Sequence, residues 1–181
     1  MILVFILIDL IGAIDKEYFY FVPSLIGDQP YRIFTSILTH ADLNHLLSNL
    51  GGIIITRYFL IRLGIESRFF YLKFILICSF LNFFIIWVYE KIVYYFLNFY
   101  PNFAALGFSG IIYALFGFLL LSSFYGKKYF FGKEIGLKSN YEVQKMLKTI
   151  CLIGLIFSFL PGVSLLGHFS GFIAGCFLFL I

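Results

Sequence analysis

No charged residue interrupts residues 107–125, GFSGIIYALFGFLLLSSFY. A helix needs about 20 apolar residues to cross the hydrocarbon core of a bilayer, and this segment is close to that length. The whole chain of 181 residues is similar in character, since 62% of its residues are hydrophobic, 12% are charged and the mean hydropathy is +1.01. Soluble domains usually contain about 45–50% apolar residues. The composition therefore predicts an integral membrane protein with an all-α fold.

Apolar runs divide the chain into six predicted transmembrane helices, which form a polytopic bundle and a single domain, residues 1–181. The runs lie at about 1–14, 43–61, 69–89, 108–125, 147–160 and 164–181. The first run is shorter than the ~20 residues of a full span, so it either includes Tyr18–Val22 or lacks residues at its start. It has no basic leader of the kind that signal peptides carry. Pro161 and Gly162 favour a tight reversal between the last two runs.

Lysine and arginine residues are concentrated in two of the connections between these runs. One connection and its flanks contain Arg57, Arg62, Arg68 and Lys73, and the connection after the fourth run contains six lysines up to Lys148. Because positive charge favours the cytoplasmic side, both connections and both termini are predicted to be cytoplasmic. The net charge of +4 does not indicate nucleic-acid binding, since the cationic residues form no aromatic-interleaved surface.

This topology places three chemically active residues at similar depth. Runs two, four and six would begin on the outer side, with His45, Ser109 and His168 near their starts. A serine hydroxyl becomes a good nucleophile when a base removes its proton, and histidine, with an unperturbed pKa of about 6.5, is the usual base. Ser109 and His168 are therefore the candidate catalytic dyad. The alternative is that Ser109 is bonded to its own helix backbone and that His168 only packs.

Further polar residues could support such a dyad. Tyr113 lies one turn after the serine, so its ring could pack against the imidazole of the dyad. A tetrahedral intermediate needs hydrogen-bond donors for its oxyanion, and the candidates are His45 and Asn49, four residues apart on one helix face, with the amide of Ser109. A structural hydrogen bond between helices is the alternative for the two side chains. His40 precedes this helix, and we expect it to organise the site rather than react.

Small residues recur at helical spacing in the fourth and sixth runs. They are Gly107, Gly110, Ala114 and Gly117 in the fourth run, and Gly167, Gly171 and Gly175 in the sixth. Small residues allow two helix backbones to approach closely in lipid. We therefore expect these two helices to touch backbone to backbone, which would bring the dyad together.

The segment before the fourth helix, residues 98–106, is expected to be non-helical. Irregular backbone is tolerated at membrane depth only where protein or water covers its polar groups. The sequence therefore predicts a polar cavity beside the dyad, open to the outer side.

The chain resembles the rhomboid family of intramembrane serine proteases over nearly all of its length. The resemblance rests on HxxxxHxxxN at His40, His45 and Asn49, on GxSG at 107–110 with Tyr113 following, and on GHxxG at 167–171. It implies that Ser109 is the nucleophile and His168 the general base, and that His45, Asn49 and the Ser109 amide form the oxyanion hole. It also implies cleavage of membrane-anchored proteins near the outer end of their transmembrane segment, without a metal or an organic cofactor.

Two positions depart from patterns that are common in rhomboids. The first loop has Tyr31-Arg32 where the family often carries Trp-Arg. The inner end of the second run reads Leu60-Ile61-Arg62, without the acidic residue that is commonly found there. Both differences concern the scaffold rather than the dyad.

Two other functions are alternatives at this stage. A catalytically silent rhomboid-like protein would bind or escort membrane helices, although such proteins usually lack the serine or the histidine that this chain retains. A transporter would also place polar groups in the membrane, but it would typically show inverted repeats, and none is visible in the sequence.

The expected partners are transmembrane protein substrates and the lipid bilayer, with no nucleic acid. The expected location is a bacterial plasma (inner) membrane, which suits a compact chain of six spans, and an organelle membrane is the alternative. The oligomeric state is left open. Asp9, an ionisable residue within the first run, has either a partner inside the bundle or a place at the end of the span.

Overall fold

The computed structural model describes residues 1–10, 15–62, 67–99, 103–125, 128–130, 133–135 and 141–181. Its α-helices are α1 (Ile2–Phe5), α2 (Arg32–Thr35), α3 (Leu43–Arg62), α4 (Arg68–Leu97), α5 (Ser109–Tyr125), α6 (Tyr141–Phe157) and α7 (Leu165–Leu180). A π-helical turn, Ile6–Leu10, follows α1, and 3₁₀ turns cover Lys16–Phe19, Pro23–Leu25 and Ser36–Leu38. Within the described ranges, the strands are the short β1 (Lys128–Phe130) and β2 (Lys133–Ile135), which pair antiparallel. The predicted all-α class is confirmed.

Three of the predicted segments agree closely with helices of the structure. The runs predicted at 43–61, 108–125 and 164–181 match α3, α5 and α7 to within one residue at each end. The run predicted at 1–14 corresponds to α1 and the π-helical turn as far as Leu10, and its last four residues lie outside the described residues.

The other two predicted runs differ from the helices of the structure, because these helices also include charged residues that lie outside the apolar runs. The run predicted at 69–89 stops before Glu90, whereas α4 continues to Leu97 with the Glu90 side chain buried in the bundle. This helix ends at Asn98, which adopts the left-handed conformation (φ 50°) and donates its amide to the Tyr94 carbonyl oxygen (2.9 Å). The run at 147–160 corresponds to α6, which begins earlier, at Tyr141, because its first turns are amphipathic and carry charge.

Length and composition single out α4 among the described helices as able to cross a membrane. It has 30 residues, and its most apolar part has a mean hydropathy of 2.2. Helices α5 and α7 are also apolar but have 17 and 16 residues, fewer than the ~20 of a full span. The prediction of six spans is therefore not confirmed.

Helix α5 lies at the centre of the bundle. Eleven of its 17 residues are buried, and it contacts α3, α4, α6 and, most extensively, α7. A helix that is apolar on every face is stable in such an enclosed position. Towards the far end of α5, the Phe118 ring packs against the rings of Phe70, Phe74 and Phe179, so α4 and α7 are joined to it by an aromatic core.

The loop before α3 is organised by the buried side chain of Arg32. Its Nε donates a hydrogen bond to Gln29 Oε1 (2.5 Å), and its Nη1 donates to the carbonyl oxygens of Glu17 and Tyr20 (2.8 and 2.7 Å). A guanidinium group has five N–H donors in a fixed plane, so one side chain can hold several loop carbonyls together. The arginine of the Tyr31-Arg32 pair thus has a structural role in this loop.

The same loop holds the segment that leads into α5. Phe21 and Ala105 exchange two backbone hydrogen bonds of 2.9 Å, as in an antiparallel pair of strands. The Gly107 amide donates to the Ser36 carbonyl oxygen (2.8 Å). These bonds satisfy backbone groups of a non-helical segment and fix the direction in which α5 begins.

Candidate active site

The contact between α5 and α7 is made backbone to backbone. A Cβ atom at Gly171 would overlap the Gly110 carbonyl oxygen, and one at Gly175 would overlap the Ala114 carbonyl oxygen. The close approach predicted from the spacing of small residues is confirmed. Because the two helices touch along several turns, their N-terminal ends lie side by side.

Ser109 is the first residue of α5, at the end next to α7. The residue after it, Gly110, lies against Gly167, the residue before His168, since a Cβ atom at Gly110 would be 3.6 Å from the Gly167 carbonyl oxygen. Gly107 has a φ of +99°, a conformation that favours glycine because it has no Cβ atom. This turn directs the chain from the loop into α5. The Ile111 and Ile112 amides donate to the Phe108 carbonyl oxygen (3.0 and 3.2 Å), so the amides that a helix start leaves for an outside acceptor are those of Ser109 and Gly110.

His168 is enclosed by residues from α5 and from the end of α6, with 9% of its surface exposed. Its ring stacks on the Tyr113 ring, with centroids 4.0 Å apart and planes 12° apart. This is the packing predicted from the position of Tyr113 one turn after the serine. The Nδ1 atom of His168 lies 2.8 Å from Ser158 Oγ.

His45, on the first turn of α3, is oriented by its own helix start. Asp42 Oδ1 accepts a hydrogen bond from the His45 amide (2.8 Å), and His45 Nδ1 accepts one from the Ala41 amide (3.4 Å). In a neutral imidazole, an accepting Nδ1 leaves the proton on Nε2. That Nε2 atom points at Gly107, where a Cβ atom would lie 2.6 Å from it.

Asn49, one turn further along α3, points at the same turn. Its Nδ2 atom would be 3.2 Å from a Cβ atom at Gly107. It is buried and has no hydrogen-bond partner among the described residues, although buried polar atoms are normally paired. An unfilled amide donor next to the start of α5 is what a site for a negatively charged oxygen requires.

His40 is fully buried behind His45. The two imidazole rings meet edge to face, with centroids 5.2 Å apart and planes at 72°. His40 therefore contacts His45, and its organising role stays a prediction.

Comparison with known families matches the Rhomboid domain over residues 27–181, which is most of the chain. The chain belongs to the rhomboid family. No curated protein and no solved structure matches it. Rhomboids are integral membrane proteins, and they are usually intramembrane serine proteases. The helical structure is in keeping with a rhomboid in a membrane.

Sequence reasoning overlooked Ser158, which directly follows α6. The signal for it was weak: Ser158 is the one hydroxyl side chain in the apolar stretch 150–160, ICLIGLIFSFL. Nothing in that pattern indicates that the residue contacts His168, because His168 belongs to α7 and Ser158 to the turn that follows α6. The contact follows from the way in which the end of α6 approaches the start of α7 in this rhomboid.

Asn82 of α4 was also overlooked. Its Oδ1 accepts a hydrogen bond from Ser170 Oγ (2.5 Å), and its Nδ2 lies against Gly110, where a Cβ atom does not fit. A polar side chain inside an apolar run was the available signal, since polar groups in membrane helices are costly. Through this contact, α4 supports the place where α5 and α7 meet.

A cavity of about 280 Å³ lies between α5, α6 and α7, next to His168 and Ser158. The described part of residues 98–106 contains no helix, as predicted. The cavity beside His168 differs from the polar one that we predicted, because its lining is almost entirely apolar. The apolar lining includes Phe116 and Leu120 of α5, Leu152 and Leu155 of α6, and Leu165 and Phe172 of α7.

Proposed function

We propose that this rhomboid is an intramembrane serine endopeptidase that cleaves transmembrane segments of membrane-anchored proteins through Ser109 and His168. The observation that carries the proposal is that three helices converge at one point. From α3, the side chains of His45 and Asn49 face the turn before Ser109, and α7 presents His168 beside the same helix start.

In the proposed reaction, Ser109 Oγ attacks a peptide carbonyl carbon while His168 Nε2 accepts the hydroxyl proton. The resulting oxyanion accepts hydrogen bonds from His45 Nε2, Asn49 Nδ2 and the Ser109 amide. When the C–N bond breaks, His168 returns the proton to the leaving amine, and an acyl ester remains on the serine. A water molecule that loses its proton to His168 then hydrolyses the ester and restores the hydroxyl. Each proton transfer in the reaction therefore passes through His168.

Helix length supports a reaction centre below the membrane surface. With 17 residues and a rise of about 1.5 Å per residue, α5 is about 26 Å long, whereas the hydrocarbon core is about 30 Å thick. If α5 reaches the inner boundary of the hydrocarbon core, its start at Ser109 lies about 4 Å short of the outer boundary. The non-helical segment before it then completes the crossing.

The proposal includes the finer topology given by the charges. We place the whole chain in one domain of six spans, with both termini in the cytoplasm and Ser109 near the outer face of a bacterial plasma membrane. Short apolar helices such as α5 and α7 cross when their neighbouring loops extend into the bilayer under cover of protein.

The proposal is tested by reconstituting the full chain in vesicles with a single-span reporter protein. The original chain should cleave the reporter within or beside its transmembrane segment, as mapped by mass spectrometry. Ser109→Ala should lower the rate by at least about 1,000-fold, whereas Ser48→Ala, which removes an exposed hydroxyl from α3, should have no effect.

Two outcomes would overturn the proposal. If the original chain and Ser109→Ala cleave equally, another group is the nucleophile. If neither cleaves but both retain the reporter on co-purification, the chain is a catalytically silent rhomboid-like protein that binds membrane helices.

A further inference from the structure

A chain of hydrogen-bonding groups runs from His168 to the backbone of α6. Ser158 Oγ lies 2.8 Å from His168 Nδ1, 3.0 Å from Tyr113 Oη and 2.9 Å from the Gly154 carbonyl oxygen. Tyr113 Oη is itself 2.5 Å from that carbonyl oxygen. Three helices therefore meet in one cluster of four polar groups, and three of its members are side chains.

Counting protons gives three of these contacts a direction and leaves the contact between Ser158 Oγ and the Gly154 carbonyl oxygen without a hydrogen. The Gly154 carbonyl oxygen can only accept, so its bond to Tyr113 must use the tyrosine proton. It also accepts the Ser158 backbone amide (3.0 Å), which fills its second lone pair. The Ser158 hydroxyl is then best placed to donate its hydrogen bond to Tyr113 Oη, which still has a free lone pair.

This assignment fixes the tautomer of the histidine. Because the single hydroxyl hydrogen of Ser158 is used in the bond to Tyr113, Ser158 Oγ can only accept a hydrogen bond from His168. His168 Nδ1 therefore carries the hydrogen, and Nε2 has the lone pair. The opposite arrangement, in which Ser158 donates to Nδ1, would leave no proton between Ser158 and Tyr113. The arrangement with the most hydrogen bonds is therefore the one in which His168 donates to Ser158, Ser158 to Tyr113 and Tyr113 to the Gly154 carbonyl oxygen. Successive hydrogen bonds of this kind polarise one another.

We propose that Ser158 is a positioning residue that holds His168 in the Nδ1–H tautomer, with Nε2 free to accept the proton of Ser109. The proposal deepens the proposed function and rests on it. In soluble serine proteases an aspartate performs this task, but a buried carboxylate is costly in an apolar environment. A neutral serine that donates a hydrogen bond to Tyr113 orients the imidazole ring without placing a charge in the membrane.

The position of Ser158 also connects α6 to the base. An apolar cavity separates the middle of α6 from α5 and α7, and the polar cluster spans the gap at its end. If α6 shifts away to admit a substrate helix, the Ser158–His168 bond is the contact that must stretch. The orientation of the base would then depend on α6 returning to the position that the structure shows.

Nuclear magnetic resonance of the imidazole nitrogens tests the tautomer directly. The chain has three histidines, so ring ¹⁵N labels in the full chain in detergent can be assigned by single substitution. In the original chain, His168 should have its hydrogen on Nδ1. In Ser158→Ala, the signals should move to a mixture of tautomers, or to Nε2–H. A His168 that keeps the same tautomer in both proteins would refute the proposal, whether or not the chain is a protease.

Kinetics on the reconstituted chain give a second readout. Ser158→Ala should lower kcat about tenfold, which corresponds to about 1.4 kcal/mol of transition-state stabilisation, and should leave KM within about twofold because substrate binding is unaffected. Tyr113→Phe keeps the ring stack and removes only the hydroxyl, so it should lower kcat less, by about threefold.

The matched control is Ser122→Ala. Ser122 is buried in α5, and its Oγ donates to the Leu119 carbonyl oxygen of the same helix (2.7 Å). The kcat of the Ser122→Ala variant should equal that of the original chain. If Ser158→Ala has the same kcat as this control, the positioning role is wrong, whereas the proposed protease activity is unaffected. If the original chain does not cleave at all, the proposed function fails and the tautomer measurement alone decides the role of Ser158.

Discussion

Helix α5 meets α7 and α6 through two different kinds of surface. On the α7 side, Gly171 and Gly175 bring the two backbones into direct contact. On the α6 side, a cavity of about 280 Å³ lies between the helices, and Tyr113 donates a hydrogen bond to the Gly154 carbonyl oxygen and accepts one from Ser158 Oγ. Close-packed surfaces tolerate little displacement, whereas helices around a cavity can rearrange. We expect the α5–α7 pair to be the rigid frame of the site and α6 to be the element that adjusts.

The largest expected effect comes from disturbing the rigid frame. Gly175→Ala places a methyl group against the Ala114 carbonyl oxygen, and backbone atoms cannot turn away as a side chain can. Overpacking of this kind costs about 3 kcal/mol, and we expect the free energy of unfolding in detergent to fall by at least that amount. The measurement is denaturant unfolding followed by circular dichroism.

The control for Gly175 is Gly51→Ala. Gly51 is also in a helix, but a Cβ atom there would meet nothing within 4 Å. This change should raise the stability by up to about 1 kcal/mol, because alanine is the better helix former. Equal losses in the two variants would show that the α5–α7 contact is not close-packed in the membrane protein.

The next largest effect is expected at the turn before Ser109. Gly107→Ala forces a side chain into φ +99° and crowds both His45 and Asn49. Because the two side chains that we propose as oxyanion donors are displaced together, cleavage of the reporter should fall by about 1,000-fold. The control is Gly162→Ala, which has a similar φ of +80° but no neighbour within 4 Å. The Gly162→Ala variant should have similar backbone strain and should still cleave the reporter. If Gly107→Ala and Gly162→Ala lose equal activity, backbone strain alone explains the loss.

A smaller loss is expected when one donor is removed from the α3 side. Asn49→Ala deletes the buried Nδ2 atom and keeps the turn intact, so kcat should fall by about 100-fold with KM little changed. Asn44→Ala, at an exposed position on the same helix, provides the control and should have full activity. If KM rises and kcat is unchanged, Asn49 binds the ground state of the substrate and not the oxyanion.

The sequence predicted the rigid frame better than the adjustable side. The glycines and alanine of α5 and α7 repeat at the helical period, so their contact could be derived from the pattern, and so could the ring stack of Tyr113 on the imidazole. The Ser158 contact could not, because it depends on how the end of α6 meets the start of α7, and no periodicity records that distance. The end of α4 was missed for a related reason: burial of Glu90 is a tertiary effect that overrides its preference for solvent.

The smallest expected effect distinguishes the two surfaces of α5 by their packing alone. Leu155 of α6 lines the cavity and is 47% exposed, whereas Leu119 of α5 is fully buried. Removing a buried leucine side chain costs about 3 kcal/mol because the surroundings close only partly around the space it leaves. Leu155 already borders an empty space and loses few contacts, so Leu155→Ala should lower the free energy of unfolding by less than about 1 kcal/mol. If instead Leu155→Ala costs as much as Leu119→Ala, α6 is packed as tightly as α7 in the protein, and a substrate helix must enter by another side.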